Sequence, residues 1–144
     1  RMRIIIVQVS LTESNVLPMK QIFSTAVLFL IILIGSAQEF KEIIDLVGHG
    51  DGMSLAAHMN SEIDISINDE RSTLDRNEGG KRLVEFFQQN PIKSFDVVHK
   101  GTSKSGVVYL IGQLESEKSS FRMTMYIRGE DDHHHIESIE IEEG

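Results

Sequence analysis

The sequence predicts an α+β domain in which a curved antiparallel sheet packs on one long helix, and three observations carry that prediction. Glu62-Ile63-Asp64-Ile65-Ser66-Ile67 alternates polar and apolar residues, as a strand with one buried face does. Asp75 with Glu78 three residues on forms a capping box that opens a helix, and Asn90-Pro91 stops it. Beyond that stop, four stretches carry a strand pattern and are separated by short polar connections.

The chain has 144 residues. Residues 1–18 begin with Arg and hold an apolar patch, Ile4 to Val9; they read as an upstream segment outside the mature protein. Met19-Lys20 opens a secretory signal peptide, residues 19–37. An apolar run from Ile22 to Ile34 follows, and Gly35-Ser36-Ala37 supplies the small residues that a signal peptidase requires. That run is about 13 residues, against about 20 for a spanning helix, so cleavage is expected rather than anchoring. Residues 38–144 then form one domain of ordinary size. The protein is expected to be exported, either periplasmic or secreted, with no stable membrane anchor after cleavage.

Within the domain, Phe40, Ile43, Ile44 and Val47 recur at helical spacing and Gly48 and Gly50 close that segment. Asp51 can cap a second short helix with Met53, Leu55, Ala56 and Met59 on its apolar side. The strand Glu62–Ile67 comes next, a turn over Asn68–Arg71, and a stub of strand at Ser72–Leu74. The helix that begins after Asp75 buries Leu83, Phe86 and Phe87. Gly79 and Gly80 lower its propensity and fit a close approach to the sheet. Strands are expected over Lys93–Lys100, Val107–Glu115, Phe121–Arg128 and His134–Glu142. Hairpin linkage makes them a four-stranded meander, and the earlier strand adds a fifth.

Composition excludes several classes of function. The formal net charge is −8, and the leader carries more cations than anions, so the mature domain is more acidic still. Such a surface repels phosphate backbones, and no nucleic acid partner is expected. Cysteine is absent, which removes disulfides, thiolate metal sites and cysteine nucleophiles. No phosphate-cradling glycine loop, nucleophile elbow or dinucleotide fingerprint occurs. No cofactor is expected.

Three segments together carry a family resemblance: Phe86-Phe87-Gln88-Gln89-Asn90-Pro91, Ser94 to Gly101, and Gly106 to Leu114. They resemble the small secreted bacterial family called domain of unknown function 4783, over nearly the whole mature chain. That family belongs to the nuclear transport factor 2-like, or cystatin-like, superfamily. The resemblance implies a curved antiparallel sheet wrapped around a long helix and leaves the activity unassigned. His133-His134-His135 departs from the ordinary strand residues expected there.

Two clusters are candidates for chemistry. In Asp131-Asp132-His133-His134-His135, strand alternation puts His133 and His135 on one side and His134 on the other, with Asp131 or a neighbouring strand as a third ligand for zinc, copper or nickel. The bland alternative is a solvated hairpin turn. The second cluster is a pocket on the concave face, lined by Phe95, Val97, His99, Tyr109 and Gln113. If Phe95 and Val97 point inward, alternation sends His99 inward as well. His99 and Tyr109 with Glu137 would then be parts for acid-base chemistry of the isomerase or dehydratase type. Their bland alternative is an amphipathic core edge.

A cavity-forming fold without catalytic signatures favours a non-catalytic binding module for a small apolar ligand or a protein partner, with a homodimer through the open sheet face as a further expectation. Acid-base catalysis at His99, Tyr109 and Glu137 and metal binding at His133 and His135 are the alternatives.

Overall fold

A computed structural model of the chain describes residues 40–130 and 133–144. The expected upstream segment and signal peptide lie outside the described residues, as does Asp131. Two short helices lead, α1 (Lys41–Gly48) and α2 (Gly52–Ala56), followed by β1 (Met59–Ile67) and β2 (Glu70–Asp75). The long helix α3 (Arg76–Gln89) precedes β3 (Ile92–Thr102), β4 (Val107–Ser116), β5 (Ser120–Glu130) and β6 (His133–Glu143). No helix among the described residues is long and apolar enough to cross a membrane.

Local chemistry accounts for the helix boundaries. The Asp51 carboxylate caps α2 by accepting from the Ser54 amide at 2.9 Å and the Ser54 hydroxyl at 2.7 Å. These two bonds hold its carboxyl below the usual carboxylate range, the Ser54 hydroxyl contributing most. Asp75 caps α3 by accepting from the amides of Asn77 and Glu78 at 2.9 and 3.0 Å. The paired glycines of α3 serve two different contacts. A Cβ at Gly79 would stand 2.7 Å from Ile63 Cγ2 on the sheet, and one at Gly80 would stand 2.8 Å from Ala56 Cβ on α2. Removing both side chains lets α3 press on the sheet and α2 press on α3.

The sheet has six strands in the order β2-β1-β6-β5-β4-β3. Two features depart from the expected five-stranded antiparallel sheet. The turn after β1 needs only Asn68 and Asp69, both at positive φ, so the expected stub becomes a full edge strand paired from Glu70 to Asp75. The β1–β6 pair is parallel. Helix α3 carries the chain across the inner face to the far edge, and the meander β3 to β6 then returns alongside β1 running in the same direction.

All three of the described helices contribute to one core on the inner face. Leu110 and Leu114 on β4, Met123, Met125 and Ile127 on β5, and Ile136, Ile139 and Ile141 on β6 are each at most 1% exposed. Against them lie Val47, Leu55 and Leu83 from the helices, all fully buried. Each such side chain contributes about 1.5–3 kcal/mol through area removed from water.

Candidate functional site

Two β-bulges decide which side chains share a face. In β3 the pairing moves from Val97 opposite Gly112 to His99 opposite Ile111, leaving Val98 as the extra residue, 68% exposed. Strict alternation would have turned His99 inward. The bulge reverses the phase, so Phe95 and Val97 pack with the core while His99 lies on the outer face with Tyr109 and Gln113. The five residues expected to line one concave pocket are therefore divided between two faces of the sheet.

On the outer face, the Tyr109 hydroxyl lies 3.5 Å from His99 Nε2 and the two rings are 5.6 Å apart. The Tyr109 ring covers Gly101, where a Cβ would come within 2.2 Å of it. Glu137 stands two strands from Tyr109 and three from His99, at the bulge of β6 where pairing passes from Ser138 to Ile136. There its carboxylate accepts from both Nε and Nη2 of Arg128. His99, Tyr109 and Glu137 do not converge.

A different cluster is drawn together at the start of β6. That strand begins before its neighbour: Ile136 is paired with Met59, the first residue of β1, so His133, His134 and His135 extend past the end of β1. The connection before β1 and the first turn of α1 meet this overhang. The Ile136 amide donates to the His58 carbonyl at 2.7 Å. Glu42, Ile43, Ala57, His58, His133, His134 and His135 line a cavity of about 260 Å³ between them.

The histidines have distinct settings. His133 and His135 share a side, with ring centroids 6.4 Å apart and 33° between planes. His134 turns the other way and stands edge-on to Phe40 at 5.3 Å. Phe40, 4% exposed, also carries Lys100 Nζ over its ring at 4.4 Å. A single aromatic ring thereby ties the start of β6 to the end of β3 across the curve of the sheet. His58 Nε2 is 3.5 Å from Glu42 Oε1. The Nδ1 atom of His135 is buried and has no hydrogen-bond partner among the described residues. His135 also borders a very small pocket with Asn60, Arg128 and Glu137.

His133 and His135 are brought together as alternation requires. His58 and Glu42 were not singled out for this cluster, because a residue some 75 positions earlier gives no local sign of lying beside the histidine run. Among the described residues, no group of three His, Asp or Glu side chains is arranged as it stands to hold a metal ion.

A curved sheet with a capped helix across its inner face defines the class of protein: an α+β domain of the nuclear transport factor 2-like and cystatin-like kind. The chain belongs to the family described as domain of unknown function (DUF4783), whose match spans residues 40–142. A DUF4783 family protein from Bacteroides fragilis is similar in structure, with a TM-score of 0.67, 22% identity, and coverage of 71% of this chain and 95% of that one. A domain of unknown function with a cystatin-like fold from Nostoc punctiforme aligns with a TM-score of 0.56 at 16% identity, covering 74% of each chain. A chain named Rd1NTF2_05 with long sheet gives 0.52 at 16% identity, covering 73% of this chain and 93% of that one. At these identities the likeness shows the fold alone. A comparison with curated proteins gives no match.

Proposed function

We propose that the protein is an exported, non-catalytic binding module whose site is the histidine-lined cavity at the start of β6. The observation that carries this reading is the cavity itself, which four histidines and Glu42 from three segments of the chain line together. The lining is dominated by imidazoles and a carboxylate, and a volume of about 260 Å³ suits a small polar ligand rather than a large apolar one.

Catalysis by His99, Tyr109 and Glu137 has less support. The first two lie on the open face, and Glu137 is engaged by Arg128. General acid-base work needs its groups within reach of one reacting centre.

Native mass spectrometry of the protein isolated from its own host's envelope tests the reading. A retained small molecule or ion, lost in His135→Ala while the fold persists, is the expected result. A bare protein whose His58 and His135 resonances stay unmoved by divalent cations, acetate and inorganic phosphate would overturn it.

A further inference from the structure

We infer that β2 is an interaction edge for a second copy of this chain, which pairs with it antiparallel about Thr73 and joins the two sheets edge to edge. The two ends of the sheet are finished differently. At one end, β3 carries register shifts between Ile92 and Ser94 and between Val97 and His99, and such bulges blunt an edge against further pairing. At the other, β2 keeps an unbroken register from Glu70 to Asp75, with Glu70, Arg71, Thr73 and Asp75 exposed.

The turn decides which backbone groups that edge presents. Asn68 and Asp69 make a two-residue loop, so the flanking Ile67 and Glu70 form a hydrogen-bonded pair, as do Ile65 with Ser72 and Ile63 with Leu74. Arg71, Thr73 and Asp75 fall in the alternate pairs, and their amides point away from β1. The carbonyls of Arg71 and Thr73 do the same, while that of Asp75 opens α3. An antiparallel partner must set these three residues opposite one another. Centring on Thr73 does so over the whole strand, with Thr73 facing its own copy and Arg71 facing the partner's Asp75.

The charges fit the same centre. Glu70-Arg71-Ser72-Thr73-Leu74-Asp75-Arg76 is self-complementary about Thr73: two positions out, Arg71 meets the partner's Asp75, and three positions out, Glu70 meets the partner's Arg76. By symmetry each pair occurs twice. Arg71 is 63% exposed with only its Nη2 drawn to Glu140, at 3.3 Å, and both cap bonds that Asp75 accepts fall on Oδ1. On the inner side, the partly buried Leu74 comes diagonally beside its copy. A formal net charge of −8 opposes association of two copies in general, so a locally complementary edge is what selects the contact. One short strand is small beside the roughly 1,200–2,000 Å² of a stable interface, which makes the dimer a weak one.

Sedimentation velocity of the full chain, from micromolar to several hundred micromolar, should show a monomer–dimer equilibrium. Glu70→Arg should weaken it tenfold or more, and Glu70→Arg/Arg76→Glu should restore it, because the double change exchanges both signs. Thr73→Pro should abolish it while β1 and β2 stay paired, since the lost amide points away from β1. Far-ultraviolet circular dichroism checks each fold, and Glu70→Arg serves if Thr73→Pro misfolds. The chain lacks cysteine, so Thr73→Cys reports the axis directly. Facing residues of a hydrogen-bonded pair have Cα atoms about 5.5 Å apart, within the span of a disulfide, and mild oxidation should link this variant into dimers. Val98→Cys, on the other edge, should stay unlinked. A chain that is monomeric at several hundred micromolar overturns the inference. So does a dimer unmoved by Glu70→Arg and Thr73→Pro, such as one formed through the outer face of the sheet, or linking no faster in Thr73→Cys than in Val98→Cys.

Discussion

The two faces of the sheet are built to different rules. On the inner face, Leu110, Met125, Ile127 and Ile139 are at most 1% exposed and meet the helices directly. One position along the same strands, Tyr109, Tyr126 and Glu140 are only partly buried. Stability is concentrated on the first face, where every methylene is in contact. The second face, and the overhang at the start of β6, carry polar groups such as Arg128, Glu137 and His135. The bulges at Val98 and Glu137 mark where this division shifts phase: one turns His99 out of the core, and the other keeps Ile136 and Ile139 both inside it.

The contrast can be broken most directly at its buried side. Ile139→Ala should lower the unfolding free energy by about 2–5 kcal/mol in a urea titration, the range for a large-to-small change in a packed core. A cost under about 1 kcal/mol would mean that the inner face is not close-packed. Gly79→Ala is a sharper test, because helix propensity alone would stabilise by about 1 kcal/mol. With Ile63 Cγ2 only 2.7 Å from the added methyl, the variant should instead lose about 1–3 kcal/mol, so the sign alone reports how closely α3 presses on the sheet.

On the outer face, Gly101→Ala should cost about 1 kcal/mol through the Tyr109 ring, and the cost should disappear in a Tyr109→Ala background. Additive effects of the two changes would show that the ring does not lie over Gly101. The smallest effect is at Asp51. Its carboxyl is held below the usual range by Ser54, so its contribution is complete above the unfolded value of about 3.8 and is lost as pH falls through the folded value. The stability difference between wild type and Asp51→Ala should therefore be constant near neutral pH and vanish under strong acid. A difference that grows on acidification would reverse the assignment.

Much of the fold was legible because its signals are local. The capping carboxylates Asp51 and Asp75, the breaker Asn90-Pro91, and the alternation in Glu62–Ile67 and Phe121–Arg128 act over a few residues, and each element lies within a few residues of where those signals put it. The paired glycines of α3 were also readable as a close contact, though not that Gly79 meets the sheet and Gly80 meets α2. The site was less legible. His133 and His135 share a side by strand alternation alone, whereas the place of His99 depended on a bulge that leaves no mark in the period of the sequence.

Taken alone, the amino-acid sequence determined the elements, their caps and stops, the apolar side of most of them, and the acidic, cysteine-free character of the chain. Tertiary structure alone decided the parallel pairing of β1 with β6, the phase shifts at Val98 and Glu137, and the meeting of Glu42 and His58 with the histidines of β6. The physical reason is range. A cap or an alternation is settled by neighbours along the chain, but a register or a cavity is settled by which distant surfaces bury the most apolar area together.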